Sequence, residues 1–146
     1  MNQPCYHISI APEQGAPWAL IAGDPGRVPA IAAYLDNPAP LGQNREYTSW
    51  VGTLAGQRVL VMSHGIGGPS TAICVEELAQ CGVHTLIRVG TCGGMQQQVL
   101  AGDLVAATGA IRAEGTSREY LPVEFPAVAD VQVVQALLTA ANAAGR

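Results

Sequence analysis

The chain has 146 residues, of which 49% are hydrophobic and 12% are charged. A chain of this composition can bury a hydrophobic core, which excludes a disordered protein. Its length predicts a single domain over residues 1–146. Its formal net charge of −4 argues against nucleic-acid binding. No apolar run is long enough to span a membrane, and the polar start at residues 1–4 does not have the pattern of a signal peptide.

The cysteines, histidines and basic residues narrow the class of protein further. Four cysteines without Cys-x-x-Cys spacing predict reduced thiols and a cytoplasmic location. The three histidines are scattered along the chain, which predicts no metal cluster. All seven basic residues are arginine. The lack of lysine excludes a P-loop nucleotidase, because the Walker-type phosphate loop requires one.

Strands and helices alternate along the predicted chain, which indicates an α/β fold with some antiparallel pairing. The N-terminal elements are a strand or extended arm at 6–10, a strand at 18–22, a turn at 23–26, a helix at 27–35, and a hairpin at 46–55 and 57–64 around Gly56. The later elements are a helix at 69–81 ended by Gly82, strands at 83–89 and 103–112, and a helix at 129–144.

Three predicted strands each end in a glycine-rich turn, at 23–27, 65–70 and 90–94. Ligands in open α/β sheets bind at the carboxyl ends of strands, where glycines let the backbone approach closely. Arg27 and Arg88 stand beside two of these turns and favour an anion site, with phosphate as the first choice. The alternative for Arg88 is a structural arginine that pairs with a core carboxylate. The turns lack Gly-x-Gly-x-x-Gly spacing, so NAD binding is not favoured.

Four further side chains have less specific interpretations. His64 precedes a glycine turn and is expected to be a core or supporting histidine rather than a catalytic one. Glu76 and Glu77 share a predicted helix, and we expect one to be solvated and the other partly paired. Cys92 has no histidine close in sequence to activate it, which predicts a small packing residue.

Six stretches of the chain form a specific set. They are Gly-Asp-Pro-Gly-Arg-Val (23–28), Asn-Arg-Glu-Tyr-Thr-Ser-Trp (44–50), Gly-Ile-Gly-Gly-Pro-Ser-Thr (65–71), Val-Glu-Glu-Leu (75–78), Arg-Val-Gly-Thr-Cys-Gly-Gly (88–94) and Glu-Phe-Pro-Ala-Val-Ala-Asp (124–130). With them the chain resembles the nucleoside phosphorylase family of bacterial uridine phosphorylase and hexameric purine nucleoside phosphorylase, and the uridine branch in particular. Members of that family are much longer, so the resemblance is to their N-terminal part.

The resemblance implies a three-layer α/β fold with a mixed central sheet flanked by helices, its C-terminal part absent. It implies an enzyme, a pentosyltransferase that splits a nucleoside, uridine foremost, into free base and ribose 1-phosphate in nucleoside salvage or catabolism. Inorganic phosphate is the co-substrate, and the only further cofactor to consider is K⁺. The base-reading segments lie outside the part represented, so we expect this chain to carry the phosphate site without a complete base site and to have little activity alone.

The resemblance also implies roles for particular residues. The phosphate site would be formed by Gly23, Arg27, Arg45, Arg88, Thr91 and Gly93. Among these, Arg88 and Thr91 would be catalytic, and Thr91 would also contact ribose. Arg45 would reach the phosphate of a neighbouring subunit and His7 the ribose 5′-hydroxyl there, so the sites would be shared across a dimer within a homohexamer. A monovalent cation at that interface would be held by Glu46, Ile66 and Ser70.

Four alternatives remain open at this point. A purine nucleoside phosphorylase shares several of these motifs, and base choice depends mostly on the part outside the resemblance. A hydrolytic nucleosidase does not need the three arginines at 27, 45 and 88, which argue against it. A non-catalytic piece could bind phosphate or dock onto full-length subunits. A degraded or split gene product would have no function.

Overall fold

The computed structural model describes residues 3–145 and divides into two compact units, one extending to Gly90 and one beginning at Thr91. The expectation of a single domain over 1–146 stays a prediction, and the two units are described in turn. Residues 1 and 2, which belong to the polar start, and residue 146 lie outside the described residues. Among the described residues, no helix has both the length and the apolar composition needed to cross a membrane.

The first unit contains five strands and two helices. They are β1 (Trp18–Ala22), α1 (Val28–Ala32), β2 (Asp36–Asn44), β3 (Tyr47–Leu54), β4 (Gln57–Ser63), α2 (Gly68–Gln80) and β5 (Thr85–Arg88). The predicted strand at 18–22, the hairpin and the helix ended by Gly82 are confirmed. The hairpin turns through Ala55 and Gly56, both of which have positive φ, as a two-residue turn between twisted strands requires.

The five strands form one mixed sheet in the order β2-β3-β4-β1-β5. Strand β1 lies parallel to both of its neighbours, with Ala22 opposite Ser63 of β4 and Ile21 opposite Arg88 of β5. Strands β2, β3 and β4 pair antiparallel. The three parallel strands therefore end at one edge of the sheet, which is where the glycine turns were predicted to converge.

The two helices cover opposite faces of this sheet. Successive β4 residues alternate between two cores: Leu60 and Met62 pack in one, and Val59 and Val61 in the other. Because neighbouring residues of a strand point to opposite faces, the two cores lie on the two sides of the sheet. The first core includes Cys74 and Leu78 of α2, and the second includes Val28 and Ala32 of α1. The predicted α/β fold with a mixed sheet flanked by helices is thus confirmed.

One prediction for the first unit is wrong, and another is confirmed only in part. Residues 6–10 form a turn instead of a strand: the N–H of Cys5 donates to the carbonyl of Ile10, and Ser9 has φ 55°. The predicted helix at 27–35 is only five residues long, and the sequence that follows it enters strand β2, which was not predicted. Residues 36–44 contain two prolines, and a strand tolerates them here because β2 is at the sheet edge.

The second unit has less regular structure. Its elements are β6 (Gly109–Ala110), α3 (Thr116–Tyr120), β7 (Ala127–Val128) and α4 (Val131–Ala143), and β6 pairs antiparallel with β7. The predicted helix at 129–144 is confirmed. The predicted strand at 103–112 is wrong except for β6, since residues 103–108 form no strand and Leu104 and Val105 are exposed.

Candidate anion site at the carboxyl edge of the sheet

The three parallel strands bring their following turns side by side. Gly23 follows β1 directly, while His64 and Gly65 follow β4, and Gly90 comes shortly after β5. The strand pairing continues past the last strand residues: the N–H of His64 donates to the carbonyl of Ala22 at 2.8 Å. This edge is therefore built by the register of the sheet, with the β1 turn in the middle.

Gly23 lies at the centre of the edge. A Cβ added there would lie 3.4 Å from the carbonyl oxygen of Gly65, 3.7 Å from Nη2 of Arg88 and 3.9 Å from Cε1 of His64. A Cβ added at Gly90 would lie only 2.4 Å from Nη1 of Arg88. The missing side chains of both glycines thus let the guanidinium of Arg88 lie against the two turns, with Nη2 toward Gly23 and Nη1 toward Gly90.

Arg88 forms its side-chain hydrogen bond with a neutral ring. Its Nε–H donates to Nε2 of His64 at 3.0 Å. Within residues 3–145, the one ion pair joins His7 to Glu77, so the alternative in which Arg88 pairs with a core carboxylate is wrong. The guanidinium is exposed, and its positive charge remains available to an anion.

His64 connects this arginine to helix α2. Its Nδ1 lies 2.9 Å from Oγ1 of Thr71, and the Thr71 hydroxyl also lies 2.9 Å from the carbonyl of Gly67. The side chain is buried, with 4% of its surface exposed. Burial lowers the pKa of His64 below its ordinary value, and the neighbouring Arg88 charge lowers that pKa further. The expectation of a core or supporting histidine is confirmed.

The other two arginines predicted for the phosphate site are also exposed. Arg27 ends a 3₁₀ turn at Pro25–Arg27, directly before α1, and Arg45 lies in the turn between β2 and β3 with φ 53°. Neither guanidinium donates a hydrogen bond to another residue within the part of the chain that the structure describes. A left-handed backbone is uncommon for arginine, so the turn holds Arg45 at a strained position.

His7 lies in the N-terminal turn and is held by a buried carboxylate. Glu77 of α2 accepts the ring Nδ1–H of His7 at 2.6 Å and the backbone N–H groups of His7 and Ile8 at 3.0 and 2.8 Å. Glu76 is exposed, which confirms that one of the two glutamates is solvated and the other paired. The side chain of Asn44 adds a hydrogen bond to the His7 carbonyl at 2.8 Å.

The three residues predicted to hold a monovalent cation meet around Gly65. The Ser70 hydroxyl donates to the carbonyl of Ile66 at 3.0 Å. A Cβ on Gly65 would lie 2.7 Å from Cγ of Glu46 and 3.3 Å from Oγ of Ser70, so this position, with φ 72°, has to be glycine. The nearby groups are a carboxylate, a hydroxyl and a carbonyl, which are the oxygen ligands that hard cations prefer. The residues fit such an ion.

The last predicted site residues belong to the second unit. Thr91 and Gly93 are exposed and lie in irregular structure, and no heavy atom beyond its chain neighbours lies within 4 Å of the position of a Cβ on Gly93. Cys92 is exposed as well, so its expected role as a packing residue is wrong.

The sequence motifs assign no role to Thr71, and they do not indicate which of Glu76 and Glu77 is paired or what its partner is. Thr71 supports His64, and Glu77 anchors His7. Each of the two bonds joins a residue of α2 to a residue outside the helices and strands, His64 after β4 and His7 in the N-terminal turn. A signal was available for Glu77, because a glutamate that falls on the buried side of a helix needs a partner.

Comparison with known proteins provides the family. A family model described as the phosphorylase superfamily matches residues 17–146. A uridine phosphorylase of Treponema pallidum is 56% identical over 94% of this chain and 53% of the relative. A uridine phosphorylase of Haemophilus influenzae is 48% identical over 96% of this chain and 56% of the relative. A guanosine phosphorylase of Halorubrum lacusprofundi is 48% identical over 85% of this chain and 52% of the relative. The chain spans about half the length of the curated relatives it matches.

Proposed function

The chain belongs to the phosphorylase superfamily, and we propose on that premise that it takes part in the phosphorolysis of a nucleoside, with uridine as the first candidate substrate. The observation that supports this most directly is the sheet edge, where the Arg88 guanidinium faces two glycine turns and pairs with no carboxylate within residues 3–145. A phosphate dianion is the small anion that such a site would bind for this reaction.

In this reaction an oxygen of phosphate forms a bond to C1′ of the nucleoside while the bond from C1′ to the base nitrogen breaks. The base leaves with the electron pair, and the sugar carries positive charge in the transition state. Arg88 would orient the phosphate below C1′, which lowers the barrier by positioning and by charge. Thr91 and Gly93, with Arg27 and Gly23, would complete the phosphate contacts.

Two other residues have proposed roles across a subunit interface. Arg45 and His7 would reach the neighbouring subunit's phosphate and ribose 5′-hydroxyl, in a dimer-based homohexamer. A monovalent cation would be held by Glu46, Ile66 and Ser70, and it would bring positive charge to that interface. Ile66 and Arg45 are both exposed in this chain, so both are accessible for such contacts.

A purine nucleoside is the second candidate substrate. The guanosine phosphorylase of Halorubrum lacusprofundi is 48% identical to this chain over 85% of its length, and the uridine phosphorylase of Haemophilus influenzae has the same identity over 96%. Similarity over this part of the protein therefore does not separate the two bases. We infer that the part represented here handles phosphate and that base choice depends on other segments.

Titration of the 146-residue chain with inorganic phosphate tests the assignment. In calorimetry, Arg88→Ala is expected to weaken phosphate affinity by one to two orders of magnitude, because hydrogen bonds to charged groups are worth about 1.5–3 kcal/mol. Gly90→Ala keeps every charge but forces the guanidinium to move, so it should also weaken binding. Arg118→Ala removes an exposed arginine of α3 and is the matched control. Equal affinity for Arg88→Ala and Arg118→Ala would reject the assigned role of Arg88.

Turnover is measured on the same preparations with uridine and with guanosine. We expect the chain to bind phosphate with little or no release of free base. Substantial turnover of either nucleoside would contradict a chain that carries only the phosphate side of the site. Binding that appears only after full-length subunits are added, seen by size-exclusion chromatography, would instead favour a docking role.

A further inference from the structure

The bonds around His64 form a chain with one direction. A guanidinium can only donate, so His64 accepts the Arg88 Nε–H at Nε2 and carries its own proton on Nδ1. That proton is donated to Oγ1 of Thr71, whose hydroxyl is then left to donate to the carbonyl of Gly67. Each group in the series has one defined role, and a second proton on the ring would face the Nε–H of Arg88.

We propose that His64 is a positioning residue that fixes the Arg88 guanidinium toward the Gly23 and Gly90 turns, with Thr71 selecting the tautomer that makes this possible. The inference rests on the proposed function, in which Arg88 binds phosphate. His64 touches neither phosphate nor nucleoside in this scheme, and it acts through the arginine alone.

A neutral acceptor suits this task better than a carboxylate. The bond to His64 uses only Nε–H, so the four N–H groups on the two Nη atoms remain for an anion. Nη2 approaches the Gly23 turn and Nη1 the Gly90 turn. A carboxylate partner would orient the side chain equally well but would cancel the charge that phosphate needs. An uncharged ring restricts the arginine and leaves its full positive charge in place.

The surroundings of His64 favour the uncharged ring. It is buried after β4, Arg88 faces it from β5, and Thr71 faces it from α2; Arg88 is the one charged group that contacts the ring within the described residues. Because the guanidinium can only donate, its 3.0 Å bond requires an unprotonated Nε2, and the ring that accepts it carries a single proton.

The tautomer is measured directly on the unmodified chain by long-range proton–nitrogen NMR of the histidine rings. We expect His64 to carry its proton on Nδ1, and to keep it there in Thr71→Ser. Thr71→Val removes the acceptor hydroxyl and should reduce the population of that tautomer. A proton found on Nε2 in the unmodified chain would overturn the proposal without reference to phosphate.

Phosphate affinity of two His64 variants tests the positioning role. The amide of glutamine reaches about as far as Nε2, whereas that of asparagine reaches only as far as Nδ1. His64→Gln should therefore bind phosphate nearly as well as the unmodified chain, and His64→Asn should bind about tenfold more weakly. His84→Asn makes the same change at an exposed histidine and is the matched control.

The outcomes separate the two proposals. If Arg88→Ala binds phosphate normally, the phosphate assignment fails, and the positioning proposal that rests on it fails too. If Arg88→Ala loses binding while His64→Asn keeps it, the assignment stands and the positioning role is overturned. Loss in both His64→Asn and His64→Gln would show a packing role, which also overturns it. Loss in His64→Asn with rescue by His64→Gln supports the proposal.

Discussion

The two units use their apolar side chains in different ways. Up to Gly90, hydrophobic residues fill a core on each face of the sheet, whereas none of the described residues from Thr91 onward is buried. Helix α4 nevertheless forms there, with Leu138 half exposed. Asp130 caps its first turn by accepting from the N–H groups of Gln132 and Val133. Local signals thus specify this helix, while burial stabilises the first unit.

The largest expected effect comes from truncating a buried side chain in the first unit, where the hydrophobic cores lie. Leu60→Ala leaves a cavity at a residue with 0% exposure and should lower the free energy of unfolding by about 2–5 kcal/mol. Leu138→Ala, at 50% exposure, should change it by less than about 0.5 kcal/mol. Urea denaturation monitored by circular dichroism measures both. Equal losses would mean that residues 91–145 contain a packed core, which would break the contrast.

The next effect comes from the buried carboxylate of the first unit. Glu77→Gln replaces one of the two oxygens that accept from three N–H groups by an NH2, which cannot accept and meets at least one of those donors. We expect a loss of about 1–3 kcal/mol in the free energy of unfolding, because buried donors lose their partner.

Glu76→Gln is the control for this substitution, since it makes the same change at the exposed neighbour. Proton exchange at the amides of His7 and Ile8 should accelerate only in Glu77→Gln. Unchanged protection at those two amides would show that the N-terminal turn is held by other contacts.

The same contrast explains which elements could be predicted from the sequence. In the first unit, the apolar patterns of β1, β4 and α2 correspond to real buried faces, so pattern and structure agree. In the second unit, the small and β-branched residues at 103–112 predicted a strand, but they are mostly exposed and only Gly109–Ala110 pairs. Strand β2 was missed for the opposite reason, because its two prolines argue against a strand and pairing with β3 overrides them.

The candidate site was predictable in its position but not in its internal bonds. Glycine turns after parallel strands must meet at one sheet edge, and this places Gly23 beside Arg88. The bond from Arg88 to His64 joins the last residue of β5 to the residue that follows β4, and both of these strands pair with β1. Only the order of the strands decides that pairing, and the sequence gives no local signal of strand order.

A smaller effect is expected from the cap of α4. Asp130→Ala removes the acceptor for two N–H groups and should destabilise the helix by about 1 kcal/mol. Asp130→Asn retains a side-chain oxygen that can accept these bonds, so the helix should keep most of its stability. Hydrogen exchange at residues 131–143 measures the change. Faster exchange in the strands of the first unit as well would show that the cap stabilises more than its own helix.

The smallest expected effect is the pH dependence of the free energy of unfolding that His64 causes, because it involves one group and a narrow pH range. The unfolded chain takes up a proton at His64 near the ordinary pKa of 6.5, while the folded chain does so only at lower pH. The free energy of unfolding should thus lose a contribution as the pH falls below 6.5. His64→Gln removes this contribution while His7, His84 and the carboxylates remain, so the difference between the two chains between pH 7.5 and 5.5 isolates it. A difference independent of pH would mean that His64 titrates normally when folded, and the ring beside Arg88 would then be charged in the range where it has to accept the Nε–H.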